Sequence, residues 1–159
     1  MHDLLAFPDT SRVWIYQADK FLPADEIGTM NSRIVEFSRE WTSHNQKLRA
    51  TGGLLHDLFL VLVADESMAG ASGCSIDTSV KFVRQVGKEY DVDFFNRLHF
   101  AYLHGEQVKQ LHRDQISDAY RNKLITDDTL FFDNLVKDKG EFLARWITPF
   151  GQSWMKRFI

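Results

Sequence analysis

The chain has one cysteine, three prolines and nine glycines among 159 residues, and its 19 lysines and arginines are outnumbered by 22 acids. Each shortage excludes something. One cysteine closes no intramolecular disulfide, which agrees with a reducing compartment, and a cytoplasmic location is expected. A net charge of −3 supplies no broad cationic field. The salt-dependent phosphate attraction behind nucleic-acid binding therefore has no source, and no nucleic-acid partner is expected. The longest apolar run, LFLVLVA at residues 58–64, is far below the roughly 20 residues needed to cross a bilayer. The opening MHDLLAFPDTSR lacks both the cationic start and the long apolar centre of a secretory leader, so no membrane partner is expected. Repeats, low-complexity tracts and Pro/Gly-rich linkers are also missing, and residues 1–159 are expected to form a single domain.

What is present is the material of an ordinary core. A 44% hydrophobic and 26% charged composition is that of a folding chain, and at this length folding buries about 70% of the unfolded surface. RVWIYQ (residues 12–17) is rich in β-branched and aromatic residues and is bounded by turn formers, which predicts a strand. PADEIGTMNSRIVEFSREW (23–41) opens with proline and two acids and repeats Ile27, Met30, Ile34, Phe37 and Trp41 at helical spacing. KLRATGGLLHD (47–57) and LFLVLVAD (58–65) read as two strands. Either Gly52 and Gly53 mark a bulge, or His56 and Asp57 form the turn between them. The second strand is apolar at every position to Ala64, as expected for a strand covered on both faces.

Ile76, Val80, Val83, Val86 or Gly87, and Tyr90 predict a second amphipathic helix, followed by a strand at 97–105 that Gly105 and Glu106 turn into QVKQLHR. The resulting order, β-α-β-β-α-β plus an extra strand, matches a ferredoxin-like α+β core. In that core two helices cover one face of an antiparallel sheet, here over residues 12–112. Residues 113–159 read as an α-helical, aromatic-rich C-terminal extension. Its Phe142, Trp146, Phe150, Trp154 and Phe158 recur every four residues, and Pro149 and Gly151 break any single helix through them. These rings serve either as a docking patch for a partner or as core folded back over the sheet.

Chemistry concentrates in DESMAGASGCSIDTSVKF (65–82). Glycine-bearing turns before a helix can present backbone N–H groups to an anion, which makes Asp65, Glu66, Ser72, Gly73 and Ser75 the ligand-binding candidates. The run LVLVADE resembles the strand that precedes the acids of nucleotide hydrolases. A phosphate-binding lysine loop is missing, however, with no lysine between Lys47 and Lys81. The two carboxylates would also repel a phosphate. Cys74 is the candidate nucleophile: with Ser75 as N-cap, the thiol would stand at the positive end of a helix, with His56, His99 or His104 as a potential base. The alternatives are a cysteine packed as a small hydrophobe and a serine that simply caps a helix. His99 and His104, five residues apart, fall on opposite faces of a strand, so no metal site and no cofactor are expected.

Together, SRVWIYQ, WTSHNQKL, VADESMAGASGCSIDTSVKFV and SWMKRF resemble a family of small uncharacterised bacterial proteins sometimes labelled ABC transporter ATPases. The resemblance covers most of the chain and implies no activity, substrate or cofactor. Neither TGGLL nor GASGCS reproduces the Leu-Ser-Gly-Gly-Gln signature that the label requires. The chain is therefore expected to be a non-catalytic module binding a small ligand or a protein, with a homodimer as one arrangement. A thiol-dependent enzyme or redox sensor using Cys74 is the alternative, followed by anion or nucleotide binding at loop 70–78.

Overall fold

The computed structural model describes residues 1–159. In chain order its elements are Arg12–Gln17 (β1), Ala24–Glu40 (α1), Thr42–Ser43 (β2), Gln46–Lys47 (β3), Arg49–Leu55 (β4), Phe59–Asp65 (β5) and Gly73–Glu89 (α2). They continue with His99–His104 (β6), Gln107–His112 (β7), Ile116–Arg121 (α3), Leu130–Phe132 (β8), Lys139–Arg145 (α4) and Ile147–Pro149 (β9). The fold is α+β, and every strand pairing is antiparallel. No helix is long and apolar enough to cross a membrane.

β5 is buried at every residue and lies between β1 and β4. The His56–Asp57 alternative is the one observed: both residues have positive φ, 53° and 56°, at the centre of a tight turn closed by the Leu58 N–H donating to the Leu55 carbonyl. Registry runs unbroken through Gly52 and Gly53, so no bulge forms there. Gly52 instead lets α1 sit close to the sheet, since a Cβ at that position would come within 3.1 Å of the Ile34 side chain and 2.9 Å of Leu62.

The registers place Trp14, Leu62 and Gly52 in one row and Tyr16, Leu60 and Leu54 in another, all on one face. Both long helices serve this face. Phe37 of α1 stacks on Phe82 of α2 with ring centres 4.2 Å apart, and Trp41 donates from its indole N–H to the Ser75 carbonyl at 2.9 Å. An Arg33–Glu89 ion pair ties the two helices on the outside.

The opposite face is covered by the C-terminal segment. Phe59 of β5 meets Phe132 at 4.9 Å and Trp146 at 5.0 Å, and Phe142 stacks on Trp146 at 4.6 Å. Lys139, almost fully buried, reaches back to the N-terminus and donates to the Phe7 carbonyl at 2.6 Å. Residues 113–159 do carry helices, α3 and α4, but they are not a helical extension alone: they also supply β8 and β9, and Phe132, Val136, Phe142 and Trp146 belong to the main core. The four-residue aromatic spacing reflects successive short elements. α4 ends at Arg145, β9 closes at Pro149, and 3-10 turns follow at Phe150–Gln152 and Trp154–Phe158.

The expected single sheet of βαββαβ strands is two sheets, β1-β5-β4 and β7-β6-β8-β9. β6 does not pair with β1, for two reasons visible at the edge of β1. The segment after β8 takes one end of that edge, with the Val13 N–H donating to the Lys137 carbonyl at 2.9 Å. At the other end the Gln17 side chain, rather than backbone, reaches the β6 carbonyl of His99 at 3.1 Å.

Because the C-terminal rings are core, Phe132→Ala is expected to cost about 3 to 5 kcal/mol of stability in urea unfolding. A loss below about 1 kcal/mol would show the C-terminal segment to be an accessory layer.

Candidate functional site

β1 bonds to β5 through its even-numbered residues. Ala18 donates to Leu58 at 2.9 Å, and the register carries that phase back through Tyr16↔Leu60, Trp14↔Leu62 and Arg12↔Ala64. The backbone groups of Val13, Ile15 and Gln17 consequently point away from β5. Only the Val13 N–H finds a partner there; the Val13 carbonyl and both groups of Ile15 and of Gln17 form no hydrogen bond within the protein.

This open edge forms one wall of a cleft of about 420 Å³ between the two sheets, a volume within the range of ligand pockets. Residues 94–97 with His99 and Phe100 form a second wall, and Phe132 with residues 134–136 a third. Val80 of α2 and Trp154 complete it. The lining is mainly apolar: Phe94, Phe100, Phe132 and Val136 are buried, whereas Leu135 stands 58% exposed at the margin. Tyr16 packs edge-on against Phe95 at 5.5 Å. Burial pushes its phenol above the ordinary pKa, with Ser79 hydrogen bonding acting the other way, so the hydroxyl stays protonated.

The floor is a fully engaged amide network. Gln17, 7% exposed, donates from Nε2 to the His99 carbonyl and to Gln110 Oε1 at 3.3 Å, and its Oε1 accepts from Asn134 Nδ2 at 2.8 Å. Asn134 Oδ1 in turn accepts from the Trp146 indole at 3.0 Å. Asp133 fixes the neighbouring turn by accepting from Arg145 at 3.0 Å and from the Trp154 indole at 3.1 Å. Three elements distant in sequence are thus held in fixed relation around the cleft.

Arginines touch its rings without forming ion pairs. Arg97 lines the cleft, Arg157 lies 4.9 Å over Trp154, and Arg84 lies 4.1 Å over the Phe95 ring from a separate hollow that it shares with Asp93. None of the three forms an ion pair, whereas Arg12, which lies 4.7 Å over Trp14, pairs with Glu66 at 3.6 Å.

The residues singled out in the 65–82 stretch lie elsewhere. Asp65 is buried at the end of β5, accepting from the Ser67 N–H at 3.0 Å and from Arg49 at 2.8 Å. Glu66 Oε1 accepts the Ala71 N–H at 3.0 Å, and the Ser72 N–H donates to Ser43 Oγ at 3.1 Å. The loop's amides at 71 and 72 are therefore engaged by side chains of the protein itself. The helix N-cap is Ser72 rather than Ser75: its hydroxyl accepts the Ser75 N–H at 3.2 Å, and Gly73 is the first helical residue. Ser75 is buried, with its hydroxyl donating to the Ser72 carbonyl at 2.8 Å. Cys74 is exposed on the first turn, and no histidine hydrogen-bonds to it.

The histidines are dispersed. His56 rests on Phe59, Phe132 and Trp146, His99 meets His112 at 5.3 Å, and His104 ends β6. A wider hollow of about 730 Å³ near Tyr120, Ile125 and Ile159 has seven lining residues and is largely open surface, so the better walled cleft is the candidate. Two signals in the sequence pointed toward it: a strand, RVWIYQ, without polar alternation, ending in a glutamine, and the aromatic pair Phe94-Phe95 beside Asn96 and Arg97.

The carboxyl of Asp65 is held below its ordinary pKa, first by hydrogen bonds from Ser67 and then by Arg49. Its ionised form therefore favours the folded state, and that contribution, present above the unfolded pKa, is lost as pH falls through the lowered folded value. Asp65→Asn should cost roughly 1 to 3 kcal/mol at neutral pH in urea titrations, and the gap from wild type should shrink below about pH 4. A gap constant with pH would contradict this structural role. Compared with known proteins, the chain matches no family model, no curated protein and no solved structure, so geometry carries the functional reading.

Proposed function

We propose that this protein is a non-catalytic binding module whose ligand sits in the cleft between β1 and the second sheet. One observation carries the reading: an apolar cleft of about 420 Å³ runs along a strand edge whose outward backbone groups at Ile15 and Gln17 have no partner. Apolar walls supply affinity through burial, at roughly 25 cal/mol per Å² removed from water, and a few fixed polar groups supply orientation. The β-α-β-β-α-β order, with β1-β5-β4 adjacent, supports a ferredoxin-like plan in which the fourth strand has parted from β1. The cleft then occupies the place that strand vacates.

Small apolar carboxylates from benzoate to decanoate are suitable probes, because Trp14 and Trp154 line the cleft and report its occupancy by fluorescence. Saturable quenching is expected, with amide shifts in two-dimensional NMR confined to residues 13–17, 94–100 and 132–136. Leu135→Asp, a change at an exposed position that removes apolar surface and repels a carboxylate, should weaken binding by tenfold or more. Absence of saturable binding, or binding unaffected by Leu135→Asp with shifts elsewhere, would remove the cleft as the site.

A further inference from the structure

The same cleft, taken as the binding site, has an edge whose chemistry is that of a missing strand. We propose that its occupant is the apolar carboxyl-terminal end of a peptide or partner chain, bound in extended form beside β1. The groups left free along the edge are, in order, the Val13 carbonyl, the Ile15 N–H and carbonyl, and the Gln17 N–H and carbonyl. That alternation of acceptor and donor is met by the backbone of another extended chain, the arrangement used in strand addition. Its span is about 13 Å at roughly 3.3 Å per residue, which accommodates only a few residues.

Closure of both ends selects a chain terminus over a strand running through. At one end the Lys137 carbonyl takes the Val13 N–H and the Lys139 N–H donates to the Ser11 carbonyl, a single antiparallel backbone bridge. At the other the Gln17 side chain is bonded to His99 and Asn134. A strand running through would have to displace both closures, whereas a terminus stops short of one and the chain behind it turns out toward solvent before the other.

Charge complementarity adds the carboxylate. Arg97 in the lining and Arg157 over the lining residue Trp154 are without acidic partners, so a terminal carboxylate entering among the rings meets positive charge. Apolar side chains alternating on the inserted strand would face the aromatic walls.

The test uses the full chain and a pool of acetylated hexapeptides whose last residues are drawn from Val, Ile, Leu, Phe and Tyr. It compares free carboxyl ends, amidated ends, and peptides N-methylated at alternate residues. Free-carboxyl peptides are expected to shift the Ile15 and Gln17 amides in NMR spectra, with amidation weakening binding severalfold and N-methylation in one of the two alternate registers weakening it tenfold or more. Ile15→Pro removes an N–H that points away from β5, and proline is tolerated on an edge strand. This variant should keep its fold by circular dichroism, lose peptide binding and still take decanoate. Arg97→Gln, at an exposed position, should reproduce the effect of amidation. Decanoate binding without peptide binding, or peptide binding indifferent to N-methylation in both registers, would overturn the strand proposal and leave the cleft as a ligand site. If neither probe binds, the cleft reading itself fails.

Discussion

Gln17 is the residue on which the architecture turns. It ends a strand that an antiparallel neighbour could have completed, yet its buried carboxamide bonds to the His99 carbonyl, Gln110 and Asn134 in place of a ladder. Each such bond is worth roughly 1 kcal/mol net, but a buried amide left unpaired costs more than its bond supplies, so the network is retained as a unit. The consequence is a seam: β6 joins β7 and β8 in its own sheet, and the outer edge of β1 is left facing a cleft instead of a strand.

The seam survives because apolar packing spans it below the cleft. Phe59, Phe132, Phe142 and Trp146 form a contiguous group of rings linking β5, β8 and α4, and aromatic contacts of this kind add to the gain from burial itself. The helical face is closed separately by Trp14, Phe37, Trp41 and Phe82. With both faces of the first sheet covered, the open part of β1 is its edge, and function is assigned there for that reason.

Much of this was legible in the sequence. The strands at 12–17 and 59–65, the long helices and the β6–β7 hairpin follow from spacing and turn chemistry, which are local. The division into two sheets was not legible, because pairing of β1 with β6 is excluded by residues 134–138 occupying the same edge, a contact across more than a hundred residues. The aromatic period of the C-terminus was visible, but Pro149 and the short β8 and β9 convert it from a helix face into alternate walls of a core. The eye-catching loop around Cys74 drew attention because small residues and acids resemble anion sites. Its amides at Ala71 and Ser72 prove to be used internally, by Glu66 and Ser43. The cleft carried a fainter signal, since Trp14, Tyr16, Phe94 and Asn134 look like core and loop until they are brought together.

The central claim is that the edge of β1 is open at Ile15 and Gln17, and native-state hydrogen exchange followed by NMR reads it residue by residue. The amides of Trp14 and Tyr16, bonded into β5, should exchange only on substantial unfolding, while those of Ile15 and Gln17 should exchange at least a hundredfold faster. Equal protection at all four positions would mean that the edge is already paired, and the account would be wrong.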